Sequence, residues 1–143
     1  MTSSGRSFQY QHRVTYADCT AGNHIYYGRF LPILEAARGA AFRAWGMPFL
    51  AFQEQDTIFP VLECLVQYRF PAAYDDLLNI NLTLIEASGV RLKFGYRILN
   101  HHDRLVLEGH TCHACTTLAG KPKRLPPQIL DWARCAPSED SVS

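Results

Sequence analysis

The sequence predicts an α+β fold in which one antiparallel sheet packs around one long helix, and three observations carry that reading. Apolar and polar residues alternate over residues 77 to 86 (LLNINLTLIE) and again over 91 to 99 (RLKFGYRIL), as they do in strands with one buried face. A single long stretch, from about residue 25 to 45, places its apolar residues three and four apart, which is the helical period. Ser88-Gly89 and the cluster from Asn100 to Asp103 supply short turns between the later strands, so those strands are joined as antiparallel hairpins.

Each element follows in chain order. In FQYQHRVTY, residues 8 to 16, alternation puts Phe8, Tyr10, His12, Val14 and Tyr16 on one face of a first strand. The helix is interrupted by Pro32, which lacks an amide hydrogen and clashes with the preceding turn, so an initial turn at 25 to 30 and a kink are expected before the main helix. From Ile33 onward its buried stripe is Ile33, Ala37, Ala40, Ala41, Ala44 and Trp45, and Gly46 ends it. Everything between this helix and the last segment reads as strand. Residues 58 to 70 (IFPVLECLVQYRF) form a nearly continuous apolar run, residues 104 to 118 a further strand, and LPPQILDWARC a short terminal helix. One domain spans 8 to 134, and residues 1 to 7 and 136 to 143, small and polar, read as flexible tails.

The bulk composition narrows the function classes. With 143 residues, 48% hydrophobic and 19% charged, the chain is an ordinary globular domain able to bury a core. A net charge of +1 gives no support for a general nucleic-acid binder, which needs many cations against phosphates. No apolar run approaches the roughly 18 residues of a membrane span. The opening MTSSGRSFQYQHR has no secretory core, so a cytoplasmic location is expected. Five cysteines fit reduced thiols better than a disulfide framework.

YADCTAGNHIYYGRFLPILEAARG at residues 16 to 39, PVLECLVQYRFPAAYDDLL further on and the closing AGKPKRLPP, in this order, resemble the hot-dog-fold acyl-CoA thioesterases of the 4-hydroxybenzoyl-CoA thioesterase group. The likeness covers about residues 8 to 130. It implies a five-stranded antiparallel sheet wrapped around a long central helix. It further implies a homodimer, assembled into a tetramer, with active sites between subunits. Such enzymes hydrolyse the thioester of an acyl-CoA or acyl-carrier protein, with a helix N-terminal amide polarising the carbonyl; ungapped matching gives that amide to Tyr27. The physics stands apart from the family, because unpaired amides and the helix dipole favour developing negative charge.

The chain departs from the family where its catalytic aspartate stands. Thr20 occupies that position and Asn23 a glycine position, so the usual base is missing. The enediyne polyketide thioesterases, a related subgroup, resemble the chain more closely here: they too lack the acid and carry an Arg on the helix, matching Arg38. There, oriented water and a polarised carbonyl replace the carboxylate.

Each candidate has a plainer alternative. Thr20 and Asn23 are either N-caps or site residues. His24 is either a surface or capping histidine or the replacement base, since an imidazole exchanges protons near neutrality. Asp18 reads as structural. Glu63 interrupts an apolar strand, so it either pairs with Arg38 or serves in catalysis as a proton acceptor in place of His24. Arg38 either pairs with Glu35, three residues away, or contacts substrate. Lys121, Lys123 and Arg124, joined by Arg91 and Lys93, are either a solvated face or a landing place for CoA phosphates. Leu50, Phe52, Ile58 and Phe59 are candidates for the acyl pocket. Cys112 and Cys115 form a C-x-x-C, yet three apart on a strand they point to opposite faces. His101, His102, His110 and His113 lack the spacing of a closed zinc site, so no metal and no redox cofactor is expected, CoA entering only as part of the substrate.

The leading reading is a thioesterase with polar residues in place of the aspartate. Its rivals are a non-hydrolytic acyl-thioester binder and, third, a dehydratase on the same fold.

Overall fold

The computed structural model describes residues 5–134. Five strands form one antiparallel sheet: β1 (Ser7–Arg13), β2 (Val61–Tyr68), β3 (Leu77–Ser88), β4 (Arg91–Leu99) and β5 (Leu105–Ala114), in the spatial order β1-β3-β4-β5-β2. The helix α1 (Phe30–Ala44) lies on the inner face, which gives the expected hot-dog architecture. Alternation decides that face. Leu78, Ile80, Leu82 and Leu84 of β3 and Leu92, Phe94, Tyr96 and Ile98 of β4 are all buried. Their neighbours Asn79, Asn81, Thr83, Lys93 and Arg97 lie outside that core.

The start of α1 resolves the Pro32 problem without a kink inside the helix. A 3-10 turn at Tyr27–Arg29 precedes α1, and Pro32 becomes its third residue, within the first turn, where a missing amide hydrogen costs little. The buried stripe is rotated from expectation: Phe30, Ile33, Leu34, Ala37, Ala41 and Phe42 are buried, whereas Ala44 is exposed. Large residues set the stripe, where the alanines alone would have permitted either face. Gly46 does end the helix, at φ 105°, with Met47 N–H bonded to Phe42 O and Gly46 N–H to Arg43 O.

Two expectations fail outside the sheet. Residues 49 to 54 are not strand but a short helix, α2 (Phe49–Glu54), seated after Pro48. The last helix, α3 (Pro127–Arg134), buries Ile129 and Trp132, and Trp132 meets Phe42 edge-on at 5.1 Å and Phe52 at 6.1 Å. Aromatic side chains from α1, α2, β4 and α3 thereby close one end of the core. Residues 5 to 7 belong to the fold and not to a tail: Arg6 N–H donates to Trp132 O, Leu84 N–H donates to Arg6 O, and Ser7 begins β1. The other positions expected to form tails, 1–4 and 136–143, lie outside the described residues.

Strand β2 differs most from its sequence pattern. Its apolar run suggests burial on both faces, but it is an edge strand and most of it is exposed, with Val61, Leu62, Leu65 and Tyr68 each about half accessible.

Candidate active site

The segment leading into α1 is a tight turn braced by one carboxylate. Cys19 pairs with Ile25, Asn23 N–H donates to Thr20 O, and Thr20 N–H donates to His24 O. Asn23 has φ 66°, a left-handed conformation that asparagine tolerates better than most residues. Beneath the turn Asp18 is buried. Its carboxylate accepts from Thr15 N–H, from the Arg29 guanidinium at 3.1 Å, and lies 2.8 Å from His12 Nε2. Its carbonyl accepts from Tyr26 N–H. Burial alone would push this carboxyl up, but the Thr15 amide, His12 and Arg29 together outweigh it and hold it at about 2.

Beyond the turn, the backbone enters the helical run with donors to spare. The N–H groups of Tyr27 and Gly28 have no acceptor among the described residues. Such groups at a helix start carry partial positive charge. Tyr27 is itself exposed, its carbonyl accepts from Tyr68 O–H at 3.2 Å, and with Ile25, Phe30, Tyr68 and Phe70 it lines a cleft of about 300 Å³.

A second cavity, of about 310 Å³, opens between α1, α2 and the inner face of the sheet. Phe42, Phe49, Phe59 and Phe94 make it aromatic, and Arg38, Glu35, Thr57 and His113 make it polar in places. A directed hydrogen-bond chain runs through its wall. Arg38 Nη1 donates to Tyr96 Oη at 2.9 Å, Tyr96 Oη and Thr111 Oγ1 are 2.7 Å apart, Thr111 Oγ1 and His113 Nε2 are 2.8 Å apart, and His113 Nδ1 lies 3.0 Å from Phe59 O. A guanidinium only donates and a carbonyl only accepts, so with a neutral ring every hydroxyl donates onward toward His113. Burial makes the ring neutral, pushing His113 down to about 4, with Arg38 adding to the effect against the Phe59 carbonyl.

The sequence-derived candidates are therefore only partly assembled. Thr20, Asn23 and His24 share the exposed turn directly ahead of the Tyr27 amide. None of them caps α1, whose N-cap is Arg29 and has no side-chain cap. Arg38 contacts Tyr96, and no ion pair joins it to Glu35 or Glu63 among the described residues. Glu63 does not interrupt a buried strand: it is exposed, opposite Cys112 in register, on the sheet face away from α1, 3.4 Å from His110 Nε2. The supposed Arg38–Glu63 pair is corrected accordingly.

The basic cluster also divides. Lys123 Nζ donates to Gln55 O, Asp56 O and Thr57 Oγ1, so this ammonium caps the end of α2 and has no capacity left for a phosphate. Lys93 lies on the outer face of the sheet, while Arg91, Lys121 and Arg124 are exposed. Of the four acyl-pocket candidates, Ile58 and Phe59 line the second cavity; Phe52 is sealed in the core and Leu50 faces outward. Tyr96, Thr111 and His113 are not identified by sequence pattern alone. Their signal is an inward position among buried side chains on β4 and β5, where a polar group needs a partner.

Comparison with known proteins fits this geometry. Residues 14–133 match the family model described as the thioesterase-like superfamily. The chain is 31% identical over 124 residues to the acyl-CoA thioester hydrolase YbgC of Escherichia coli O6:H1, spanning 86% of this chain and 92% of that one. It is 27% identical over 128 residues to a 1,4-dihydroxy-2-naphthoyl-CoA hydrolase of Synechococcus elongatus, covering 87% and 93% respectively. Among solved structures, Slr0204, a 1,4-dihydroxy-2-naphthoyl-CoA thioesterase from Synechocystis, superposes with a TM-score of 0.81 at 26% identity, over 90% of this chain and 96% of that one. The chain belongs to the thioesterase-like superfamily.

Proposed function

We propose that the protein is a thioester hydrolase acting on an acyl-CoA or acyl-carrier-protein substrate, without a carboxylate base. The observation that carries this reading is the pair of unpartnered amides at Tyr27 and Gly28, beside a cleft at the leading end of α1. The thioester carbonyl oxygen rests against the Tyr27 N–H, where the negative charge of the tetrahedral intermediate is stabilised. Thr20 and Asn23 hold the attacking water, and His24 takes its proton as the water oxygen bonds to the carbonyl carbon. The intermediate then collapses, the carbon–sulfur bond breaks, and His24 returns the proton to the departing thiolate. Arg38, on the wall of the aromatic cavity, orients the acyl group. Similarity to an acyl-CoA thioester hydrolase and to naphthoyl-CoA hydrolases supports this substrate class.

The active species is a homodimer joined through β2. An edge strand carrying exposed Val61, Leu62, Leu65 and Tyr68, with no lysine or proline inside it, is a template for another strand. The exposed Tyr26, Tyr27 and Leu31 extend that apolar surface to the amide cleft, so a second copy would wall it in. No helix among the described residues is long and apolar enough to cross a membrane.

Steady-state hydrolysis of a panel of aliphatic and aromatic acyl-CoAs and acyl-carrier proteins tests the reading. Turnover that falls at least tenfold in Thr20→Ala or His24→Ala supports it; no turnover of any thioester ends it. One observation favours a second reading, that of a non-hydrolytic acyl-thioester binder: the only carboxylate buried at the turn among the described residues, Asp18, is fully committed to Thr15, His12 and Arg29. Calorimetric binding of a non-hydrolysable acyl-CoA, without turnover of the matching thioester, would select it.

A further inference from the structure

The outer face of the sheet brings together three side chains that the hydrolase reading does not use. Glu63 on β2 stands opposite Cys112 on β5, and His110, two residues before Cys112, points the same way. Glu63 Oε1 lies 3.4 Å from His110 Nε2 and 3.5 Å from Cys112 Sγ, and all three donor atoms fall within 4.8 Å of one another. We propose that Glu63, His110 and Cys112 form a binding site for a zinc-class divalent cation, open to solvent at its fourth position.

The spacing suits such an ion. Zinc bonds of about 2.0–2.3 Å in a tetrahedral arrangement place neighbouring donors roughly 3.3–3.8 Å apart. Two of the separations already fall there, and the third needs a small rotation of side chains that are not locked in the core. The donor set, one thiolate, one imidazole and one carboxylate, is that of a borderline-soft cation and not of calcium or magnesium, which take oxygen. Charge also balances: the carboxylate and the thiolate neutralise the dication, while Lys93 and Glu86 beside them offset each other. Antiparallel register between adjacent strands builds the site, so no C-x-x-C or H-x-x-x-H spacing announces it. Cys115, the other half of the C-x-x-C, is buried on the inner side and takes no part.

Bound there, the ion ties the edge strand β2 to β5 from the outer side. Edge pairing with a second copy uses backbone groups in the plane of the sheet and leaves these side chains facing solvent. Burial pushes the Cys112 thiol up, and the Glu63 carboxylate adds to the effect, so binding expels a thiol proton.

Cobalt(II) titration of the metal-stripped full chain tests the proposal, with absorbance as readout and zinc as competitor. One cobalt per chain is expected, with tetrahedral visible bands and a thiolate-to-cobalt charge-transfer band that zinc abolishes. Affinity should rise about tenfold per pH unit between 7 and 8 as one proton leaves. Cys112→Ser should remove the charge-transfer band. The exposed Glu63→Gln, which leaves the fold intact, should weaken binding by about tenfold or more. Cys64→Ser, on the inner face of β2, should change neither. No charge-transfer band in the unmodified chain, a band that survives Cys112→Ser, or one lost in Cys64→Ser overturns the site. None of these readouts depends on hydrolysis.

Discussion

Asp18 shows how much a single side chain contributes to the site without taking part in chemistry. It joins β1 through His12 to Arg29, the N-cap of α1, and its carbonyl holds Tyr26, one residue ahead of the Tyr27 amide. Its carboxyl is held at about 2, below the ordinary value, so the stabilisation is complete above about 4 and is lost as the pH falls toward 2. That amounts to about 2 kcal/mol. Asp18→Asn should lower the denaturation midpoint near neutral pH and flatten the acid limb of the stability profile, as read by urea melts from pH 7 to 2. His113 acts in the same direction in a higher window. With its ring held at about 4 against an ordinary 6.5, unfolded chains take up a proton that folded ones refuse, so stability drops between pH 6.5 and 4. His113→Gln should remove that segment of the pH dependence. Thr20 carries a sharper prediction: if the turn positions the attacking water, Thr20→Asp supplies a carboxylate base there and raises kcat on acyl-CoA, whereas Thr20→Val lowers it. Residue identities at this scale are legible in the sequence, since Asp18, Thr20, Asn23 and His24 fall within seven residues directly ahead of the helical stretch. Their partners are not, because His12 and Arg29 reach Asp18 only through the fold.

At the scale of elements, the periodic segments announced themselves and the contested ones did not. β3 and β4 are readable because buried residues alternate with more accessible ones along most of their length, and α1 because its buried residues recur three and four apart. Strand β2 misled, since a continuous apolar run means burial on both sides in a sheet interior but a docking surface at a sheet edge, and only strand order distinguishes them. α2 was missed because six residues are too few to display a period. Lys123, far away in sequence, caps that helix. Its ammonium takes three acceptors at the helix end, so Lys123→Met should cost about 1–2 kcal/mol in thermal or urea unfolding. It should leave KM for acyl-CoA unchanged; a raised KM would restore this lysine to the CoA-phosphate role it was expected to have.

At the scale of the whole molecule, the free amides, the aromatic cleft and the apolar edge of β2 form one surface, and catalysis and assembly are predicted to depend on each other. Leu62→Arg should shift the chain from dimer to monomer in sedimentation and lower hydrolysis with it; a monomer of full activity would separate the two. The general architecture was legible from alternation and one helical stretch. The grouping of Tyr96, Thr111 and His113 on the inner face and of Glu63, His110 and Cys112 on the outer face was not, since both depend on register between neighbouring strands. The central claim is that the backbone N–H of Tyr27 holds the thioester oxygen. Tyr26 already has φ −66° and ψ 132°, which a following proline accepts, and proline is tolerated at a helix start, so Tyr27→Pro removes this one donor with little change in fold. Compared with Tyr27→Ala, which loses the ring but keeps the amide, kcat for acyl-CoA hydrolysis should fall by about 10²–10³ in Tyr27→Pro. Equal rates in the two variants, with matching circular dichroism, would contradict it.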